Sequence, residues 1–287
     1  MFLPPEPWPQ PLRVIVLAAQ RRGVADPLAE RFGVSHKCLV PIAGRSLIAH
    51  VIATLQRHPS VGEIIVSVEP AAFAAITSAL PAPPANSPPV RFAAAWDTIT
   101  DSVGVAAAGH EGPLLITTAD NVLLTCESID AVLAGLKCSD AVVAMTTREA
   151  VLAAHPEGQR RFYELRCGAY SNCNLYGLAG SQALAAAEAF RSGGRFAKNA
   201  GRIVRAFGLT NLILLRLRLI SLQGGLARIS RRLGVRIAPV VLADGSQAID
   251  VDNDRTYAVV DTLLRTAPKV ADGAYLARDE ALAISVA

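Results

Sequence analysis

The residues of this chain that could do chemistry are a basic stretch near its start, an aspartate in its middle and a group of aspartates near its end. Near the start, Ala18 and Ala19 lead into Gln20, Arg21, Arg22 and Gly23, two cations among small side chains, and Lys37 follows. Small residues let backbone N–H groups approach a phosphate closely, and the cations favour a polyanion as guest. Lys37, ahead of Pro41, Gly44 and Arg45, could fold back on the same phosphates as a mobile point charge. A loop of solvated charges explains these residues equally well.

In the middle, Ala119, Asp120 and Asn121 follow the apolar run Pro113 to Thr118. A carboxylate at the carboxyl end of a central strand is costly unless a metal or a donor meets it. Mg²⁺ suits that position, because it takes one or two carboxylates together with triphosphate oxygens. The alternative is an aspartate that caps the next helix. Near the end, Asp250, Asp252 and Asp254 form an acidic turn ahead of a helical pattern, and such a turn often does no more than cap the helix. Ser102 is also placed to act as an N-terminal helix cap.

The elements that must hold these residues read as alternating strands and helices. Val14 to Leu17 is a continuous apolar run with β-branched residues, which suits a strand buried on both faces of a parallel sheet. A helix from about Ser46 to Arg57 and a strand from Glu63 to Val68 complete a βαβ unit with a right-handed crossover. Further on, the pattern predicts a helix over 70–80, a strand over Arg91–Ala95, a helix after Asp97 and a strand over Pro113–Thr118. Next come a helix starting at Thr125–Ser128, a strand over Ser139–Thr146 and a polar connection over 148–160. Phe162–Arg166 and Ser171–Leu178 read as paired strands, Gln182–Phe190 as a helix and Val235–Leu242 as the last strand before a final helix.

Composition bounds the class. The chain has 287 residues, 52% of them hydrophobic, and a formal charge of +4, so a packed core is expected and no nucleic-acid partner is. Five cysteines without a CxxC pair indicate neither a disulfide framework nor a zinc site. The proline-rich start, MFLPPEPWPQPLR, lacks the features of a secretory signal. No charge-free run reaches the roughly 18 apolar residues of a membrane span; Leu209 to Leu222 comes nearest and is interrupted by Arg216 and Arg218. A cytoplasmic protein is the expectation.

Four segments resemble the motifs of one family. LAAQRRG followed by HKCLVPIAGRSLIAHV resembles the opening signature of nucleotidyltransferases of the MobA-like and sugar-phosphate type, LAAGxGxR then KxLxPxxGxPLIxH. TTADNVLLT is similar to their TxADxPLLT, RRFYELRCGAYSNCNLYGL to their acceptor-side strand and GNL motif, and AIDVDNDRTYAVVDTLL to their xIDxDTPEDLxxAxxLL ending. Gln20 stands where the family has its first loop glycine. The resemblance covers most of residues 1–287 and implies a single α/β domain, a Rossmann-like, mostly parallel sheet with helices on both faces, with residues 188–234 as a helical insertion or lid.

What it implies about the site follows residue by residue. Leu17, Ala18, Ala19, Gln20 and Ala119 would border the nucleotide, and Ser102 would lie near its base or ribose. Asp120 and Asp252 would hold Mg²⁺; Asp250 is the neighbour expected to cap or pair. Lys37 with Arg21 or Arg22 would stabilise the leaving pyrophosphate. Asn174 and Arg161 would meet the acceptor, and Lys198 by position only; hairpin chemistry is an alternative for Asn174. His36, beside Lys37, reads as an ordinary loop histidine. The implied activity is transfer of an NMP from an NTP, CTP favoured, to an alcohol or sugar phosphate with release of pyrophosphate. Alternatives are a molybdenum cofactor guanylyltransferase, a nucleotide-sugar-dependent glycosyltransferase and an inactive NTP-binding module.

Residues 195–234 carry eight arginines and one lysine without an acid. Two accounts fit: a basic amphipathic segment over 202–232 touching an anionic membrane surface, or a helical lid packed on the core.

Overall fold

A computed structural model describes residues 10–20, 26–180, 183–184, 214 and 216–266. Leu12–Leu17 form β1, in which Val14, Ile15 and Val16 are fully buried. β1 is a central strand between two parallel neighbours, β4 (Val61–Val68) and β6 (Leu114–Thr118), and helices bury its two faces. Between β1 and β4 come α1 (Pro27–Arg31), a two-residue hairpin of β2 (Pro41–Ile42) and β3 (Arg45–Ser46), and α2 (Leu47–Arg57). Ala43 and Gly44 turn that hairpin with φ of 46° and 84°, the paired positive values a tight two-residue turn demands. Ser46 then caps α2, its hydroxyl accepting from the Ala49 N–H.

The chain continues through α3 (Phe73–Ala79), β5 (Val90–Ala94), α4 (Ile99–Ala107), α5 (Cys126–Leu136), β7 (Ala141–Thr147) and α6 (Arg148–Ala154). β8 (Tyr163–Leu165) and β9 (Gly168–Leu178) form a hairpin, and α7 (Leu222–Leu233), β10 (Ile237–Leu242) and α8 (Asp254–Thr266) close the described chain. The sheet runs β10-β7-β9-β6-β1-β4-β5, with β8 pairing onto β9. Only β9 and β8 break the parallel arrangement: β9 is antiparallel to β6, β7 and β8.

Alternation along the strands sends side chains into two cores. Val14 and Val16 meet Leu47, Val51 and Leu55 of α2, Ile129 and Val132 of α5, and Val259 of α8 on one face. Ile15 joins Val103 and Ala106 of α4 and Ile229 of α7 on the other. Helices therefore cover both faces of a mostly parallel sheet, as expected.

Two local expectations are corrected. The polar connection over 148–160 contains α6: the Thr147 hydroxyl accepts from the Ala150 N–H, and Val151 is buried in the first core. Ser102 is not the cap of α4; Thr98 is, accepting from the Asp101 N–H, while Ser102 lies within the helix.

Of the helical insertion, residues 214 and 216–234 are described and include α7, capped by Ser221 and ended by Gly234 at φ 68°. Both stems of the excursion between β9 and β10 meet at Asp140. The Ala179 N–H donates to the Asp140 carbonyl at 2.9 Å, and the Asp140 N–H donates to the Arg236 carbonyl at 2.9 Å. The Arg236 guanidinium pairs with the Asp140 carboxylate at 2.7 Å.

Candidate active site

The carboxyl ends of β1, β4 and β6 share one edge of the sheet, since Leu17 is in register with Ser67 and Thr118. The Ala18 N–H donates to the Ser67 carbonyl and the Ala119 N–H to the Leu17 carbonyl, both at 2.9 Å. Beyond them Ala19 is exposed. Gln20 then acts as a brace: its N–H donates to Glu69 Oε1 at 2.9 Å and its Nε2 to the Ser35 carbonyl at 2.6 Å. A longer side chain at the family's glycine position thus ties the end of β1 to the segment that carries Lys37. Arg21, Arg22 and Lys198 lie outside the described residues.

Lys37 opens a 3-10 turn, Lys37–Leu39. Its Nζ donates to Asp120 Oδ2 at 2.5 Å and to Asp252 Oδ1 at 2.8 Å. Burial alone would favour a neutral amine, but the two carboxylates outweigh it and hold the ammonium well above the ordinary lysine range. Asp120 reaches this point from the turn after β6, and the Val251 N–H donates to its carbonyl. Asp252 is delivered by the turn before α8. There the Thr256 hydroxyl accepts from the Asp252 and Asn253 N–H groups, and Asn253 Oδ1 accepts from the Thr256 N–H. Capping falls to Asn253 and Thr256, which leaves the Asp252 carboxylate for Lys37. Asp254 is spent on Arg31 at 2.5 Å.

Asp250 pairs, with a more central place than its sequence position signals. It is buried, and its Oδ2 accepts from Asn174 Nδ2 at 2.6 Å. Burial first, then the charges of Asp120 and Asp252, push its carboxyl well above the usual carboxylate range, against the pull of Lys37 and Asn174. Asn174 sits in an irregularity of the β7–β9 ladder with φ 47°, and a bulge beside a site re-aims a side chain in this way. Asn172 Nδ2 donates to Asn174 Oδ1 at 3.1 Å and also to the Tyr176 hydroxyl. Asn121 locks β6 to β9 through the Cys173 carbonyl at 3.2 Å.

The structure therefore joins Lys37, Asp120, Asp252 and, through Asp250, Asn174. It does not join Arg161, whose side chain is exposed and has no contact with the cluster among the described residues. Ser102 is buried, and its hydroxyl accepts from the Trp96 N–H at 2.8 Å and donates to the Thr98 carbonyl at 2.9 Å, holding the loop at the end of β5. Sequence reasoning missed Asn172 as a member; the alternation Asn172, Asn174, Tyr176 along one face of a strand is the signal that could have found it.

Two buried carboxylate oxygens, Asp120 Oδ1 and Asp250 Oδ1, have no hydrogen-bond partner. Orphaned carboxyl oxygens beside paired acids fit a hard divalent cation, which takes oxygen ligands. Among the described residues, no group of three or more His, Cys, Asp or Glu side chains is arranged to hold a metal.

The carboxyl edge of an open α/β sheet is where ligands bind, and here an ammonium and two carboxylates converge on it. Residues 14–201 match the family model of the MobA-like NTP transferase domain, and the chain belongs to that family; it is a nucleotidyltransferase. No curated protein matches the chain. A hypothetical transferase from Thermus thermophilus shares 26% identity at a TM-score of 0.71, with 86% of this chain and 99% of that one covered. The fold is also that of 4-diphosphocytidyl-2C-methyl-D-erythritol synthase from Anaerococcus prevotii, at 10% identity, TM-score 0.53, and 88% and 96% coverage. CMP:2-keto-3-deoxy-manno-octonic acid synthetase, in complex with CTP, aligns at 14% identity, TM-score 0.53, and 89% and 99% coverage.

Proposed function

We propose that this nucleotidyltransferase is Mg²⁺-dependent and moves an NMP from an NTP, CTP in first place, to the phosphate of a small alcohol or sugar, with release of pyrophosphate. The observation that carries the reading is the convergence of Asp120 and Asp252 on one Lys37 ammonium at 2.5 and 2.8 Å. The preference for CTP is supported by the two fold neighbours whose names include a cytidyl product or bound CTP.

In this mechanism an acceptor phosphate oxygen attacks the α-phosphorus in line with departing pyrophosphate. The acceptor is already an anion at neutral pH, so no activated side chain is needed and positioning with charge neutralisation does the work. Asp120 and Asp252 would hold the metal, which when bound neutralises the repulsion between the reacting phosphates. Leu17, Ala18, Ala19, Gln20 and Ala119 line the edge where the triphosphate would lie. Ser102, which holds the loop at the end of β5, would lie beside the nucleoside end. Lys37, with Arg21 or Arg22, would take the charge that grows on pyrophosphate. Asn174, aimed by its bulge, would orient the acceptor.

The test is pyrophosphate release with each of four NTPs and Mg²⁺ against a panel of sugar, polyol and aminoalcohol phosphates. CTP with one acceptor class should stand out, and Asp120→Asn should abolish the signal. Release of a nucleoside diphosphate from a nucleotide sugar would replace this reading with a glycosyltransferase, and NTP binding without pyrophosphate under any acceptor would replace it with an inactive module.

A further inference from the structure

The excursion between β9 and β10 leaves two large apolar side chains in water. Leu217 is 59% exposed and Leu219 57%, and they alternate with Arg216 and Arg218, both exposed. They are held out by a fixed backbone. Ile220 is buried, its carbonyl accepts from the Arg166 N–H at 3.0 Å, and the Leu219 N–H donates to the Leu214 carbonyl at 2.8 Å. Arg218 takes φ 57°, a left-handed turn that an arginine adopts only when its surroundings impose it. α7 follows at once. It packs Leu222, Leu226, Ile229 and Leu233 against the second core, and Arg231 and Arg232 are exposed. No Asp or Glu occurs anywhere from 189 to 243.

We infer that this surface seats on an anionic lipid membrane, with Leu217 and Leu219 entering the headgroup boundary and the flanking arginines meeting lipid phosphates. The pairing of the two features decides between partners. A nucleic acid or an acidic protein groove would engage the arginines and leave exposed leucines without purpose, whereas a lipid surface takes both. Arginine stems lie along apolar surface while their heads stay with phosphate, and stable membrane association needs an apolar and an electrostatic signal together. The attachment is to the surface: no described helix is long and apolar enough to cross a membrane. This inference does not depend on which nucleotide or acceptor the enzyme uses.

The full chain should co-sediment at low salt with phosphatidylcholine vesicles doped with phosphatidylglycerol, and not with phosphatidylcholine alone, and raised salt should release it. Leu217→Ser with Leu219→Ser, and separately Arg231→Gln with Arg232→Gln, should each lower the partition coefficient by about tenfold or more with an unchanged melting temperature. Leu217→Trp, which keeps an apolar side chain, should retain binding and show an emission shift to the blue on adding anionic vesicles, relative to the parent. Absence of the parent from anionic vesicles, or binding that survives loss of both leucines, would overturn the assignment. So would tighter retention on duplex DNA than on vesicles, independent of Leu217 and Leu219.

Discussion

Asn174 donates through Nδ2 to the buried Oδ2 of Asp250 at 2.6 Å, and this bond ties the antiparallel strand β9 to the turn before α8. Asn174→Ala removes the donor and leaves the Asp250 carboxyl wholly unpartnered. The expected cost is about 1–3 kcal/mol, the penalty for a buried polar group without its bond. Urea unfolding at pH 7.5 measures it, and an unchanged midpoint would show that the bond contributes nothing.

Lys37 holds two acids that would otherwise repel each other. Lys37→Ala should lower kcat by about 10²–10³, as loss of a preorganised charge at the reacting phosphates does. Lys37→Arg should not restore it, because a planar fork does not replace a compact ammonium between two carboxylates. In the same variant Mg²⁺ should raise the melting temperature more than it does in the parent, since the alanine leaves the carboxylates unneutralised. Equal metal effects on the two proteins would count against Asp120 and Asp252 as the metal's ligands.

Acid should weaken the fold through His58. Its side chain is fully buried, its Nδ1 accepts from the Ser60 N–H at 3.2 Å, and its Nε2 pairs with Asp130 at 3.1 Å. That arrangement uses the neutral ring, and burial depresses the pKa despite Asp130. The unfolded chain takes up the proton at about 6.5 and the folded one resists, so stability falls as pH drops below that value. Asp250 has the opposite sign: its raised folded pKa means that stability falls as pH rises from about 3.9, the unfolded value. Unfolding midpoints from about pH 3 to about pH 8, which brackets both unfolded values, should therefore show an acid limb reduced by His58→Gln and a separate loss removed by Asp250→Asn. Identical profiles for parent and variants would refute both assignments.

Two glycines should respond in opposite directions to alanine. A Cβ at Gly245 would lie 2.1 Å from the Ala150 backbone carbon and oxygen, where the turn after β10 packs against α6. Backbone cannot yield as a flexible side chain does, so Gly245→Ala should cost about 1–3 kcal/mol or more. Gly104 lies inside α4 with nothing within 4 Å of its added Cβ. Gly104→Ala should stabilise by roughly 0.5–1 kcal/mol, the usual helix-interior difference. Thermal melts of the pair would test both signs at once.

Much of the frame was legible because its strands are buried on both faces and read as unbroken apolar runs. Val14 to Leu17, Leu114 to Thr118 and Ala141 to Thr147 all fall where the pattern put them. α6 was not, because seven residues that bury only Val151 leave too faint a period. Ser102 and Thr98 are both plausible caps by residue type, and only backbone geometry separates them: Thr98 has extended φ and ψ of −120° and 151°. At the site, Lys37, Asp120 and Asp252 were accessible through motif resemblance. The tie between Asp250 and Asn174 was not, since it depends on a bulge that a one-dimensional pattern does not encode.

The meeting of both stems at Asp140 has an architectural consequence. The chain leaves the sheet after Ala179 and returns at Arg236 through the same residue, at the end of β7 away from the carboxylates, whereas the bond from Arg166 to Ile220 carries the start of α7 to the β8–β9 turn. α7 spans that distance while it closes the second core that Ile15 shares, so the excursion is a structural layer of the sheet and its loss would leave that face in water.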